Sequence, residues 1–337
     1  MTELELIDAF LSPFGLARDA RRTGAGVLSG PGDDCAVVRP TRGHELVLKV
    51  DEVVEDVHFH PRWFTPEDVG HKALAAALSD LAAAGARPRW FLCALGVRRD
   101  ADPLRVAREM ARGMAALARR HRCVLVGGNV TRAPAWSISV TAIGEAKRPR
   151  SRRGARPGDA LVVAGELGRA ALGLRLLQGN LEGDGSATWA GRRHAARRSG
   201  AETTAIRAQL RPEPLVAAGL AAGAFASAAV DVSDGFLRDL GHLCAASGCG
   251  SEVELNDLPI DATVRDADIE LALGGGEDYA LLFAARPRDA SRLVAAIRRT
   301  KTEARVAGRF VKGQGIRLLD RGVPRALPPL LGWDHIA

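Results

Sequence analysis

Aspartates interrupt the most apolar and glycine-rich stretches of this 337-residue chain, and that placement restricts its fold more than any other feature. Asp33 and Asp34 follow Gly30-Pro31-Gly32, and Asp51 ends an apolar run. Asp80 lies within an Ala- and Leu-rich segment, and Asp231 and Asp234 alternate with Val230, Val232 and Ser233. Glu277 and Asp278 follow Gly274-Gly275-Gly276. A carboxylate in such surroundings is costly unless it is paired or bound to a cation. Taken singly, each has a plain reading. Asp231 or Asp234 can cap the helix expected from Gly235, Asp80 can pair with an arginine, and Asp33-Asp34 can form a turn. Recurrence in both halves of the chain points to a shared task. Carboxylates with few His and no useful Cys are hard oxygen ligands that suit Mg²⁺ rather than zinc. Mg²⁺ so held usually shares its shell with phosphates, and glycine-rich turns let backbone approach a phosphate closely. The chemistry indicated is phosphoryl transfer or nucleotide-dependent ligation.

Composition narrows the partners. The formal net charge is +7, which invites a nucleic-acid reading. However, 42 of the 47 basic residues are Arg, spread along the whole chain, and aromatics are only 4%. Stacking platforms for single strands are therefore scarce, and the excess reads as compositional bias rather than a nucleic-acid surface. The densest basic runs are Lys147–Arg156 and Arg192–Arg198. The longest uncharged stretch, Pro214 to Val230, is too short and too rich in Ala and Gly for a bilayer span of about 20 residues. The five cysteines form no C-x-x-C pair, which argues against structural zinc and for a reducing compartment. The opening MTELELIDAF lacks the basic start and apolar core of a signal peptide, so a cytoplasmic chain is expected.

The length suggests about two domains. Residues 31 to 146 alternate strand and helix patterns. Strands are expected at Glu45–Val50, Trp90–Val97, Cys123–Val126 and Trp136–Ala142. Helices are expected from Thr65-Pro66 to near Gly85, and from Asp102-Pro103 to about His121. The basic, proline-containing stretch 147–158 is the best boundary, giving domains at 1–148 and 149–337. A second α/β pattern follows, with strands at Asp159–Ala164, into Val230, at Gly250–Leu255 and at Tyr279–Ala284. Its helices are expected at Arg169–Gln178, near 214–227 and at Gly235–Ala246. Residues 179–200 read as a surface insertion. The P-loop and the protein-kinase motifs are absent from the sequence.

Seven motifs in order resemble those of the thiamine-monophosphate kinase family, within the aminoimidazole-ribonucleotide-synthetase-like superfamily. They are Gly32-Asp-Asp-Cys-Ala36, Val50–Phe59, Lys72-Ala-Leu-Ala with Leu78–Ala86, Gly127–Arg132, Arg153–Asp159, Val230–Gly235 and Gly275–Tyr279. The resemblance covers about residues 27–335. It implies two α/β domains, a homodimer formed through the N-terminal sheets, and direct in-line transfer from ATP to thiamine monophosphate with Mg²⁺. By position it implies metal contacts at Asp34, Asp51, Asp80, Asp231, Asp234 and Asn129. It implies ATP contacts at Gly128, Asn129, Arg152 and Ser233, and substrate contacts at His58, Glu277 and Trp333. No covalent catalytic residue is implied. Trp333 can lie against a thiazolium cation or can pack the tail down.

The chain departs from the family pattern where Lys49 and Val50 precede Asp51, where Asn129 follows Gly127-Gly128, and where Ala280 follows Tyr279. Lys49 can replace a bound cation with its own ammonium, or can be a plain end-of-strand lysine. Asn129 can offer Mg²⁺ a neutral oxygen but no charge. Fewer tightly held metal ions are expected. The competing readings are a nucleotide-binding paralogue with weakened or lost kinase activity, and another superfamily enzyme such as an aminoimidazole ribonucleotide synthetase.

Overall fold

The structure is a computed structural model that describes residues 2–17, 25–100, 102–179, 189, 200–329 and 332–333. Most of the expected insertion, with the basic run Arg192–Arg198, lies outside the described residues. The chain divides into two compact units, with one boundary between Lys147 and Arg148.

The first unit runs through α1 (Glu3–Leu11), β1 (Val27–Ser29), β2 (Val37–Val38), β3 (Glu45–Val54), α2 (Pro66–Ala83), β4 (Arg87–Val97), α3 (Pro103–His121), β5 (Val124–Arg132) and β6 (Ser137–Ala146). Its main sheet has the order β3-β6-β4-β5. The pair β4–β5 is parallel and is bridged by α3, while the other pairs are antiparallel. Helix α2 begins as the sequence suggests. Thr65 Oγ1 accepts from Asp68 N at 3.2 Å, and Asp68 Oδ2 accepts from Thr65 N at 3.1 Å, a reciprocal cap. From Asp68 to Ser79 every residue of α2 is buried, and Asp80 is the first to regain partial exposure. Helix α3 is capped by Asp102, whose side chain accepts from Arg105 N at 3.0 Å, with Pro103 in its first turn.

Helices α2 and α3 touch backbone to backbone. A Cβ on Gly70 would lie 1.8 Å from Met110 O, and one on Gly113 would lie 1.9 Å from Glu67 O. Neither position admits a side chain while the helices keep this spacing.

The second unit contains β7 (Ala160–Ala164), α4 (Arg169–Gln178), α5 (Gly200–Leu210), α6 (Val216–Ala222), β8 (Ala226–Asp231), α7 (Phe236–Ser247) and β9 (Gly250–Glu254). It continues with α8 (Ala262–Ala267), α9 (Glu270–Gly274), β10 (Leu281–Ala285), α10 (Pro287–Arg298), β11 (Ala304–Val311), β12 (Ile316–Asp320) and β13 (Val323–Arg325). The sheet order is β13-β12-β9-β11-β7-β10-β8. Leu161, Val163, Val230, Phe236, Leu240, Leu282 and Phe310 belong to its core. Strands β7, β8 and β10 are apolar almost throughout, as strands covered on both faces must be.

Strands β3 and β6 run on past their expected ends to Val54 and Ala146, and two further elements differ from the sequence pattern. The segment near 214–227 is not one helix: α6 ends at Ala222 with Gly223 as its cap, and Ala226 already belongs to β8. Alanine intrinsically prefers helix, so the pairing of β8 with the neighbouring strand β10 overrides local propensity here. Strand β5 does not stop at Gly127-Gly128 but runs on to Arg132. Gly128 makes this possible, because a Cβ there would sit 1.9 Å from Cys93 O on β4.

Two tests follow from this packing. Gly113→Ala forces α2 and α3 apart and should cost about 3 kcal/mol, read as a lower urea midpoint with an unchanged slope. His121, at the end of α3, is held neutral, because burial first and Arg120 and His71 next lower its pKa to about 4. The unfolded chain therefore binds the proton first as pH falls below about 6.5, so acid favours unfolding. His121→Gln should remove on the order of 1 kcal/mol of the stability lost between pH 7 and pH 4.

Candidate active site

The residues implicated by sequence divide between the two units. In the first, Lys49 is the centre of a charged cluster. Its Nζ lies 3.3 Å from Asp51 Oδ1 and 2.9 Å from Asp80 Oδ2, which joins β3 to α2. Burial alone would lower the Lys49 pKa, but Asp80 and Asp51 outweigh it and hold the ammonium above its ordinary range. Burial pushes the Asp51 carboxyl up, with Lys49 opposing and Asp80 reinforcing the shift.

The strand register places the other residues. Asp51 is opposite Val140, Val140 opposite Cys93, and Cys93 opposite Gly128, so one row crosses the whole sheet. Asn129 belongs to the next row, with Ala94, Ser139 and Glu52. Neighbouring rows point to opposite faces, so Asn129 does not join the Lys49 cluster. Asp34 lies in the exposed turn between β1 and β2, after Asp33, which accepts from the Ser29 hydroxyl.

His58 sits in the turn after β3. Its Nδ1 accepts from Val54 N at 3.1 Å, which assigns the ring proton to Nε2. The wholly buried Lys72 of α2 holds this turn, donating from Nζ to His58 O at 2.9 Å. Lys72 also lies 5.1 Å from the centre of the Phe64 ring. The next residue, Phe59, stacks on Trp189 with 6.1 Å between ring centres, and Trp189 Nε1 donates to Asp100 Oδ2 at 3.0 Å.

In the second unit, the turn Val230–Gly235 is shaped by Asp239, one turn into α7. Asp239 Oδ2 accepts from Ser233 N at 3.0 Å, Asp234 N at 3.0 Å and Gly235 N at 3.2 Å. Asp239 is 1% exposed, and burial raises its pKa to about 6 against the pull of these donors. The glycine-rich turn before β10 lies alongside: Glu277 N donates to Ser233 O at 2.7 Å, and Tyr279 N to Val232 O at 2.9 Å. Glu277 and Tyr279 have φ of 67° and 50°, a backbone that side chains adopt only under constraint. Gln209 fixes the Glu277 carboxylate with a 2.6 Å hydrogen bond. Asp278 turns away and accepts from Gly168 N and Ala170 N at 2.6 and 3.1 Å, capping α4.

Trp333 N donates to Asp234 O at 2.8 Å, and the residue is 56% exposed. Asp231 is buried at the end of β8, and Asp234 Oδ2 lies 3.9 Å from Arg238 Nε. The Arg152 segment is stapled by Ser247, whose hydroxyl donates to Arg152 O at 2.9 Å and accepts from Gly154 N and Ala155 N at 3.1 Å each. The His242 pKa is lowered by burial, then by Arg152 and Arg238, and is partly restored by Asp234. Arg152 therefore shares an electrostatic neighbourhood with Arg238 and Asp234. Asp231, Ser233, Asp234, Glu277 and Trp333 thus gather around one turn.

Among the described residues, no three His, Cys, Asp or Glu side chains gather closely enough to hold a metal ion alone. The donors suit Mg²⁺ only in its usual manner, with one or two carboxylates and with phosphates and water completing the shell. Asp51 and Asp80 already hold an ammonium.

Sequence reasoning missed Asp239, Gln209 and Trp189, and assigned Lys72 no role although it opens one of the seven motifs. An acid in the first turn of α7 reads as a response to the helix dipole, and nothing marks Gln209 within α5. Lys72 carried a signal: it is one of only five lysines and stands amid apolar residues.

Two α/β units, each with aspartates on glycine-bounded turns, define the class. A family model described as AIR synthase related protein, N-terminal domain, matches residues 32–146, and one described as AIR synthase related protein, C-terminal domain, matches residues 156–321. Thiamine-monophosphate kinase of Salmonella typhimurium is 35% identical over 92% of this chain and 93% of its own length. The crystal structure of thiamine-monophosphate kinase from Stenotrophomonas maltophilia superposes with a TM-score of 0.79 at 36% identity, covering 94% of this chain and 96% of the other. AaThiL complexed with AMPPCP and TMP superposes with a TM-score of 0.75 at 28% identity, covering 99% of this chain and 96% of the other. The chain belongs to the thiamine-monophosphate kinase family, within the AIR synthase related proteins.

Replacing Asp239 tests the architecture of the turn. Asp239→Ala leaves three N–H groups without their acceptor, the buried one of Gly235 and the part-buried ones of Ser233 and Asp234, and should cost about 2 kcal/mol in urea unfolding, with weakened ATP binding by calorimetry. Asp239→Asn keeps an acceptor oxygen and should cost less.

Proposed function

We propose that this chain transfers the γ-phosphoryl group of ATP to thiamine monophosphate, giving thiamine diphosphate and ADP. The observation that carries the proposal is 35% identity to a thiamine-monophosphate kinase along nine tenths of both chains. A second support is the relative solved with AMPPCP, an ATP analogue, and TMP.

Both reactants are phosphate anions, so the protein's task is charge neutralisation and alignment rather than covalent chemistry. Arg152 meets the ATP phosphates with its guanidinium, and Gly128, Asn129 and Ser233 complete the nucleotide contacts. Asp34, Asp231 and Asp234 are the carboxylates that would hold Mg²⁺, which neutralises phosphate charge when bound. Glu277, fixed by Gln209, and His58, fixed by Lys72, meet the acceptor. Trp333 offers its ring to the thiazolium cation. In this reading residues 1–148 form the ATP, metal and dimer domain, and residues 149–337 the C-terminal α/β domain.

The partner is a second copy of the chain. Leu46, Leu48 and Val50 stand on one face of β3 with exposures of 42%, 64% and 61%, an apolar stripe at an edge of the sheet. A cytoplasmic location completes the reading. It is supported by the demand for ATP and by an exposed free thiol at Cys35.

The test is purified protein with ATP, thiamine monophosphate and millimolar Mg²⁺, followed by chromatography. Thiamine diphosphate and ADP should appear in equal amounts. ATP binding without product would favour the non-catalytic paralogue, and ATP consumption indifferent to thiamine monophosphate would favour another substrate.

A further inference from the structure

We propose that Lys49 is an internal cation that takes the place of a divalent ion between Asp51 and Asp80. The inference rests on the proposed Mg²⁺- and ATP-dependent function. The ammonium touches both carboxylates, at 3.3 and 2.9 Å, and so already joins the two anions that a bridging metal would join. The three side chains are a quarter to a third exposed, so the charges are partly shielded from water rather than spread on a surface.

The strand holds the lysine there. Lys49 and Asp51 are two residues apart on β3 and so share the face that meets α2. In its row Lys49 stands opposite Ala142, which in turn stands opposite Phe91. Ala142 is too small to compete for the space above the sheet, which leaves room for the four-carbon stem. A Mg²⁺ ion demands oxygen ligands at about 2.0–2.1 Å in near-octahedral array. Entry between these carboxylates would require expelling the ammonium or accepting a like charge beside the ion. The built-in charge also costs no ion-binding entropy, so this part of the site is set before nucleotide arrives.

Counting bound Mn²⁺ by electron paramagnetic resonance, with saturating ATP and no thiamine monophosphate, tests the proposal without relying on turnover. Lys49→Ser should bind one more Mn²⁺ per chain than the unaltered protein. Adding Asp80→Asn to Lys49→Ser should remove that extra ion. Asp80→Asn alone should leave the count unchanged, because the pair holds no metal, and this arm decides the matter even if Lys49→Ser does not fold. Equal counts for the unaltered chain and a folded Lys49→Ser, or loss of one ion in Asp80→Asn, would overturn the proposal. If the kinase reaction itself fails, these counts still stand, so the two readings fail separately.

Discussion

A carboxylate removed from water needs a partner, and much of this molecule is arranged around supplying one. In the first unit the partner is a lysine, and the Lys49 contact to Asp80 is also what links β3 to the buried helix α2. In the second unit the partners are backbone N–H groups. Three of them converge on Asp239, and the turn they define carries Asp231, Ser233 and Asp234. Asp278 uses the same device on α4. The result is that Asp51, Asp80 and Asp239 are held on strands and helices, while Asp34 stands in an exposed turn.

The arginine surplus fits the same principle. Arg98 pairs with Glu55 and Asp100, Arg169 with Glu166 and Asp261, and Arg309 and Arg317 both with Glu252. These pairs serve local structure, and exposed ones contribute little stability individually. Net charge is thus a poor guide to the ligand here. Position is better: Arg152 stands out because Ser247 holds its backbone and because its charge acts on His242 beside Asp234.

Element type was legible in the sequence wherever a cap, a proline or a periodic apolar pattern marked it. Thr65-Pro66 and Asp102-Pro103 open helices as their chemistry requires. The alanine-rich stretch after Val216 was not legible, because strand pairing overrides the helical preference of alanine from Ala226 onward. Motif aspartates were legible because they stand out from apolar neighbours. The groups that position them were not: Asp239 and Gln209 act through backbone and side-chain contacts that sequence distance conceals, 68 residues in the case of Gln209 and Glu277. Lys49 was visible as a departure from the family pattern, but its meaning depended on Asp80, which lies on another element.

The most direct measurement follows the γ-phosphoryl group. The protein is incubated with Mg²⁺, thiamine monophosphate and ATP carrying radioactive phosphorus at the γ position, then quenched in acid. The account predicts label in thiamine diphosphate, rising in step with ADP, and none on the protein. Label held on the protein, or released as inorganic phosphate while thiamine monophosphate stays unchanged, would contradict direct transfer between the two anions.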